Sequence, residues 1–468
     1  MSQAMLKQSL FTLFGNSVDF QVKDVRVDGE KALLCFYSTM IDQGEANRQL
    51  RILEERAVSG SEDWGTGAPT EVQTFSKEKL SQAVCTGNAA VIFPDSNLMI
   101  ELSVFGLPQR SPDEPGNEQV VRGSHEGFIE NFMVNIGLVR KCLQREDLVY
   151  ETYIPPGSHT AIHMLYLSRE VAPEVLAEMR SRLNRIPRGQ IFSMGQTEDY
   201  LDDTIYTPFP LFLTTERPDR VTFNLMEGKI ALLADHSPSV AIAPINFFAF
   251  YESPDDYNSR TIVGSFYRLV RLAAFFLAVF LPAFYIAIIS YHSEILPFEI
   301  SMTLKETLLN VPYRPVFEAL LLELFIELIR EASVRLPQPI GQTVGIVGGI
   351  VIGDAIVSAG LASSLMVIVV AMTAIASFVI PSAEMNMAVR ILRFPFMILA
   401  SMFGFFGIVI GSLLLTIHLI NLSSLNQPYF SPVVPYDPSR MKNVFFRLPF
   451  FKPDRQQQTF QHGEEGAE

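Results

Sequence analysis

Between Pro337 and Ser382 the chain carries a single charge, Asp354, and ahead of it glycine recurs at every fourth position, at Gly341, Gly345, Gly349 and Gly353. A water-soluble protein has little use for such a stretch. It is too long and too apolar for a core helix, and each glycine in a helix interior costs about 1 kcal/mol relative to alanine. In a bilayer the same spacing lets two helix backbones approach closely. A carboxylate at that depth is expensive and marks a functional position by default. The chain therefore reads as a membrane protein whose important surface lies between helices.

Of the 468 residues 48% are hydrophobic, and the apolar excess falls after about Arg271. The net charge of −14, with scattered basic residues, argues against nucleic acid as a partner, because a binder needs a basic face. Cys35, Cys85 and Cys142 are odd in number and far apart, which points to a reducing compartment and away from disulfides or a zinc site. The N-terminus has no apolar run behind a basic start, so it does not resemble a secretory signal, and the polar half is expected in the cytosol.

The fold class expected is a soluble α/β N-terminal region of two subdomains followed by an all-α transmembrane domain of four to five helices. DFQVKDVRV and KALLCFYST read as strands around a turn at 28–30, followed by a helical EANRQLRILEERA. The polar break SGSEDWGTGAPT at 59–70 sets the first boundary, giving subdomains 1–65 and 71–258. AAVIFPDSNLMIELSVFG reads as a hairpin turning at Pro94–Asn97. A helix is expected around 126–144, a buried strand in HTAIHMLYL, a helix in APEVLAEMRSRLNRI and a second hairpin in KIALLADHSPSVAIAP. Strands alternating with helices favour α/β over all-β. No internal repeat is visible in the residues.

The transmembrane domain is placed at 259–421 and a polar C-terminal tail at 422–468. Leu272–Tyr291 suits one crossing, with Arg268 and Arg271 holding its N-terminal end in the cytosol. Residues 312–331 carry Glu318, Glu323 and Glu327, and suit either an interfacial amphipathic helix or a polar-faced helix lining a channel. Ile340–Ser358, Ser363–Ile380 and Phe394–Ile420 read as further helices. Counting 312–331 as a crossing gives five spans and an outside tail. Counting it as interfacial gives four spans and an inside tail, and the arginines do not decide between the two.

The glycine ladder is compatible with tight packing alone, and Asp354 with a structural partner. As groups lining a path for ions the sequence offers Asp354, Glu323, Glu327 and Gln342; as packing positions, Gly341, Gly345, Gly349 and Gly353. The soluble half has no phosphate-binding glycine loop, no metal-spaced cluster and no nucleophile elbow. His159 and His163 are read as structural, since two ligands with no nearby acid do not make a metal site. From its residues alone, Thr214-Thr215-Glu216-Arg217-Pro218-Asp219 is a polar turn in which Asp219 can cap the next segment.

TPFPLFLTTERPD followed by LMEGKIALLADHSPSVAIAP resembles the end of the soluble domain in the GerA family of spore germination proteins, the A subunits of germinant receptors. The similarity continues through FFAFYESPDDYNSRTIVGSFYRLVRLAAFF, ELIREASVRLPQPIGQTVGIVGGIVIGDAIVSAGL, MVIVVAMTAIASFVIP, RILRFPFMILA and PYFSPVVP, covering roughly residues 125–440 in the family's order. The resemblance implies a nutrient receptor component in the inner membrane of a bacterial spore, with its N-terminal domain on the core side. It implies a transporter-like B subunit, a lipoprotein C subunit and further copies of the chain in a ring as partners. Glu216, Arg217, Pro218 and Asp219 then fall in a domain-to-membrane junction motif, and Gln338, Pro339, Gly341 and Gln342 open the glycine-rich helix. No cofactor and no catalytic residue is implied.

Two functions fit these expectations: a subunit that oligomerises into a nutrient-gated cation channel, and a non-conducting scaffold that transmits the signal while ions cross another protein. A secondary transporter fits less well, because four or five spans without an inverted repeat are few for that mechanism. An enzyme would need a site that the residues do not contain.

Overall fold

The computed structural model describes residues 3–27, 30–59, 72–106, 115, 118, 123–158, 160–187, 193–299, 311–337, 348–351 and 353–446. Its first sheet is built around strand β2 (Glu30–Tyr37), which is apolar at consecutive positions because both of its faces are covered. Leu33, Cys35 and Tyr37 meet Leu6, Leu10 and Phe14 of helix α1 (Gln3–Leu13) and Leu80 and Val84 of α3 (Lys77–Cys85). Ala32, Leu34 and Phe36 point the other way, toward Ala46 and Leu53 of α2 (Gln43–Ser59). β1 (Phe20–Val27) pairs with β2 from Phe20↔Tyr37 to Val27↔Glu30. With β3 (Val72–Thr74), β4 (Ala89–Phe93) and β5 (Leu98–Leu102) the strand order is β1-β2-β4-β5-β3, antiparallel throughout.

The second sheet contains β6 (Leu148–Tyr153), β7 (Ile162–Leu167), β8 (Leu213–Thr215), β9 (Ile230–Ala234) and β10 (Val240–Ala243) in the order β6-β7-β9-β10-β8. Helix α4 (Phe132–Leu143) precedes it, α5 (Pro173–Arg185) and α6 (Met194–Leu201) lie between β7 and β8, and α7 (Pro218–Met226) lies between β8 and β9. The two halves therefore repeat one plan, helix-strand-strand-helix-strand-helix-strand-strand, with the same strand order, the second half carrying one extra helix, α6, after α5. The residues alone show no such repeat, because the duplication survives in topology and not in side chains. The layering repeats too: α5 and α6 cover one face of the second sheet, while α4 and α7 pack together, with Phe132 of α4 stacked on His163 of the other face.

The expected boundary at 65–71 is corrected by this pairing. β1 and β2 precede it and β3, β4 and β5 follow it, yet all five belong to one sheet, so the first subdomain extends to at least Leu102. The two subdomains are joined by a buried ion pair: Arg140 of α4 donates from Nε and Nη2 to Asp19 Oδ2 and Oδ1, each at 2.7 Å.

By contacts the chain divides into two units. One comprises Met1–Phe250, Ser382–Leu392 and Val409–Phe430; the other comprises Tyr251–Pro381, Arg393–Ile408 and Ser431–Glu468. The first unit thus includes part of the expected tail. Leu425 enters the core of the second sheet, Ser424 Oγ accepts the N–H of Ile245 and donates to the carbonyl of Leu211, and Tyr429 donates to the carbonyl of Pro210.

In the second unit, α8 (Pro254–Asn258) opens on a capping box between Ser253 and Asp256 and leads into α9 (Thr261–Tyr291). Thr261–Tyr291 and Ala383–Phe403 are long and apolar enough to cross a membrane; Ser364–Phe378, Phe405–Asn421 and the stretch Gly348–Ser358 are apolar but shorter. Arg268 and Arg271, which the sequence offers as topology markers, are both paired with Asp256. The single helix expected over 394–420 is broken at Gly404, whose φ of +61° is left-handed and strained for any residue with a side chain. A Cβ there would also lie 3.0 Å from His292 Cε1 and 3.3 Å from Tyr291 Cβ.

Candidate functional site

The acidic residues of the apolar half separate into enclosed and open groups. Helix Pro315–Arg335 begins with proline at its first position, where the missing N–H costs nothing. Its glutamates at 318 and 323 are buried, not solvated as an interfacial helix would leave them. Glu318 Oε2 accepts the backbone N–H of Ser363 at 2.9 Å, while Ser363 Oγ accepts the N–H of Met366 and caps helix Ser364–Phe378. The carboxylate therefore sits at the positive end of a helix.

Glu323 is fully enclosed, with Oε2 2.8 Å from Arg393 Nη1; Arg393 Nη2 also donates to Glu327 Oε1 at 2.7 Å. The sequence offers both glutamates to an ion path, whereas within this chain they neutralise an arginine that is itself 1% exposed. An isolated charge in this setting would be prohibitive, so the cluster holds its helices together by mutual compensation.

Asp354 lies on the opposite side of that division. It is exposed, and no hydrogen bond or ion pair reaches it among the described residues. A Cβ added at Gly349 or Gly353 would meet nothing within 4 Å, and Ile350 and Val351 beside them are exposed. Gly341, Gly345 and Gln342 lie outside the described residues, as does His159.

The Glu216–Asp219 motif joins β8 to α7. Pro218 stands in the first turn of α7, and Arg217, 1% exposed, grips Asp219 through Nε and Nη2 at 3.0 and 2.6 Å. Arg217 also donates to the carbonyl of Ser124, the Glu216 carbonyl accepts the N–H of Phe128, and Arg220 pairs with Glu118. The motif thus clamps the connection between the two subdomains. Thr214, just before it, donates to Glu384 Oε1 at 2.8 Å, at the start of helix Ala383–Phe403.

Sequence reasoning passes over two features here. Thr214 also lies 3.5 Å from Glu198 Oε1, so two carboxylates share one hydroxyl. Burial, then the neighbouring Glu384, push Glu198 up to about 8; burial, then Asp199, push Asp202 up to about 7. The second feature is the partner of His163. Its Nε2 is 3.0 Å from Asp235 and its Nδ1 is 2.9 Å from the Tyr150 hydroxyl, so the ring is structurally engaged at both nitrogens. Asp235 lies in the turn of the β9–β10 hairpin, 72 residues away, which no local spacing reveals. Among the described residues no group of three His, Cys, Asp or Glu side chains is placed to hold a metal ion.

The family model for the Bacillus/Clostridium GerA spore germination protein matches residues 8–459. The chain is 35% identical over 427 residues to spore germination protein A1 of Bacillus subtilis (strain 168), covering 88% of this chain and 87% of that protein. It is 36% identical over 391 residues to the uncharacterized membrane protein YfkQ of the same organism, covering 83% of this chain and 76% of that one. Among solved structures, the N-terminal domain of the A subunit of the Bacillus megaterium spore germinant receptor GerK3 aligns with a TM-score of 0.38 and 21% identity, over 52% of this chain and 95% of that one.

Proposed function

This chain belongs to the Bacillus/Clostridium GerA spore germination protein family, and on that premise we propose that it is the A-type membrane subunit of a germinant receptor, oligomerising into a nutrient-gated cation channel. The observation that carries the proposal is the open face around Asp354. An acid, two glycines and exposed Ile350 and Val351 lie uncovered among the described residues, in a stretch that carries no other charge from Pro337 to Ser382. Apolar surface left uncovered in one copy calls for lipid or another helix, and glycines suit the close approach of another helix. Copies packed through Gly349 and Gly353, with Gly341 and Gly345 continuing the ladder, would set a ring of Asp354 carboxylates around an axis. Such a ring favours cations. Gln342 belongs to the same helix in this proposal, while Glu323 and Glu327 serve by holding Arg393.

The assembled receptor takes a transporter-like B subunit and a lipoprotein C subunit as partners in the inner membrane of the spore, with the N-terminal region on the core side. Nutrient captured by a partner shifts the soluble region, and Thr214–Glu384 is one contact through which that shift reaches an apolar helix. The Glu216–Asp219 clamp keeps the two sheets moving together at the junction. No enzymatic step is needed.

The alternative, a scaffold that conducts nothing, draws on the engagement of Glu323 and Glu327, which removes two of the acids that could have lined a path. Co-expression with B and C partners in growing cells separates the two. Potassium efflux on nutrient addition, altered in selectivity by Asp354→Asn with assembly intact, is the channel outcome. Unaltered efflux in that variant, with Gly349→Leu abolishing assembly, is the scaffold outcome.

A further inference from the structure

The end of α6 and the loop after it expose three large side chains: Tyr200, in the last turn of the helix, at 53%, and Ile205 and Tyr206, in the loop, at 65% and 88%. Tyr206 is among the most exposed aromatic residues described, and its setting is specific. Its neighbour Thr207 places Oγ1 2.9 Å from Nε2 of His418, in the last turn of the uncharged helix Phe405–Asn421. Phe209 lies against the same histidine, with ring centroids 6.1 Å apart. Beyond the helix, Ser424 and Tyr429 bond to the carbonyls of Leu211 and Pro210. The loop is therefore fastened along its length to the end of an apolar helix and to the chain that leaves it.

That helix supplies a depth gauge. Leu413, Leu414, Ile417 and Ile420 are 41–61% exposed on its outer surface, which suits lipid. By Leu425 the chain is already inside the core of the second sheet. With this helix in lipid, as the proposed function has it, the membrane surface falls between those positions, close to Asn421. His418 stands three residues inside the helix end, about 4.5 Å along its axis. Thr207 is held at that level, and Ile205 and Tyr206 extend from it.

Building on the membrane assignment above, we propose that Ile205 and Tyr206 insert into the boundary between headgroups and acyl chains, so that this loop is a lipid anchor for the soluble region. Tyrosine suits that depth, its ring among the upper acyl carbons and its hydroxyl among headgroups. The nearby acids do not oppose contact with a zwitterionic surface. Asp203 is paired with Arg182, and burial with nearby carboxylates raises Asp202 to about 7. Asp199, exposed, lies a turn back in α6.

The chain has one tryptophan, Trp64, so Trp64→Phe with Tyr206→Trp gives a single reporter in the full-length protein. It is reconstituted in phosphatidylcholine vesicles carrying a spin label at carbon 5 or carbon 12 of the acyl chain. Fluorescence at position 206 should fall about twofold with the shallow label and clearly less with the deep one, and iodide should quench it weakly. A parallel reporter, Phe276→Trp in α9, tests the membrane assignment itself, since Phe276 is 58% exposed within a helix long enough to span. Quenching at 276 without quenching at 206 overturns the anchor and leaves the membrane assignment standing. Loss of quenching at both positions overturns both. A reporter at 206 shielded from iodide and from lipid labels alike would mean that protein covers the loop, which also overturns the anchor.

Discussion

Arg393 closes on Glu323 from a different helix, Nη1 to Oε2 at 2.8 Å, with both side chains all but removed from solvent. Removing one partner leaves a buried charge without compensation, at a cost of about 3–5 kcal/mol. Arg393→Met should therefore lower the unfolding temperature of the detergent-solubilised chain sharply. Adding Glu323→Leu should recover more than half of the loss. Additive losses in the double variant would mean that the pair is not energetically coupled.

Arg140→Met should separate the two subdomains. It breaks a two-pronged pair with Asp19 and removes a guanidinium lying 3.6 Å from the centre of the Tyr37 ring. The expected loss is again about 3–5 kcal/mol. Arg140→Lys should recover little of it, because an ammonium cannot serve both carboxylate oxygens in one plane. Limited proteolysis of the full chain, with earlier cleavage between the two sheets in either variant, checks this.

The pH dependence of the first unit follows from Glu198 and Asp202. Both titrate higher in the folded state, at about 8 and about 7, than the value near 4 of an unfolded chain. Between about pH 4 and pH 8 the folded state holds more protons, so stability falls as pH rises through that window. Glu198→Gln carries no charge to expel and should flatten the fall, gaining roughly 1–2 kcal/mol near pH 8. Thermal unfolding of both proteins at about pH 5 and pH 8 reads the difference.

Gly404→Ala forces a side chain into a left-handed backbone and toward His292 and Tyr291. A destabilisation of about 1–3 kcal/mol is expected from the strain. Gly407→Ala should be worse, because a Cβ would stand 2.1 Å from the carbonyl oxygen of Leu399. Folded yield and unfolding temperature, measured side by side, should rank wild type above Gly404→Ala above Gly407→Ala.

Much of the soluble architecture is legible in the residues because hairpins are local. The turn between Phe93 and Leu98 is written in Pro-Asp-Ser-Asn, and Asn97 takes the positive φ that such turns need. The boundary at 65–71 misleads for a physical reason: a polar, glycine-bearing segment reads the same whether it links domains or crosses within one. The return of β3 to pair with β5 at the sheet edge is a long-range pairing that composition does not encode. The acids of the apolar half divide in the same way. Asp354 stands out by isolation, which sequence displays, whereas the pairing of Glu327 with Arg393 joins residues 66 apart. Gly404 is visible as a glycine, but its left-handed turn and its closeness to Tyr291 and His292 at the end of α9 are not.

Leu425, Ser424 and Tyr429 finish the second sheet from far along the chain, and this imposes an order on synthesis. The ribosome releases β10 roughly 180 residues before it releases Tyr429, a delay on the order of ten seconds or more at ordinary elongation rates. During that time the carbonyls of Pro210 and Leu211 and the pocket for Leu425 wait for their partners. The second sheet closes only after the helix Phe405–Asn421 has been made, so its completion reports that synthesis has passed that helix. A chain truncated within the apolar half would present an unfinished core to the proteases and chaperones of the cell.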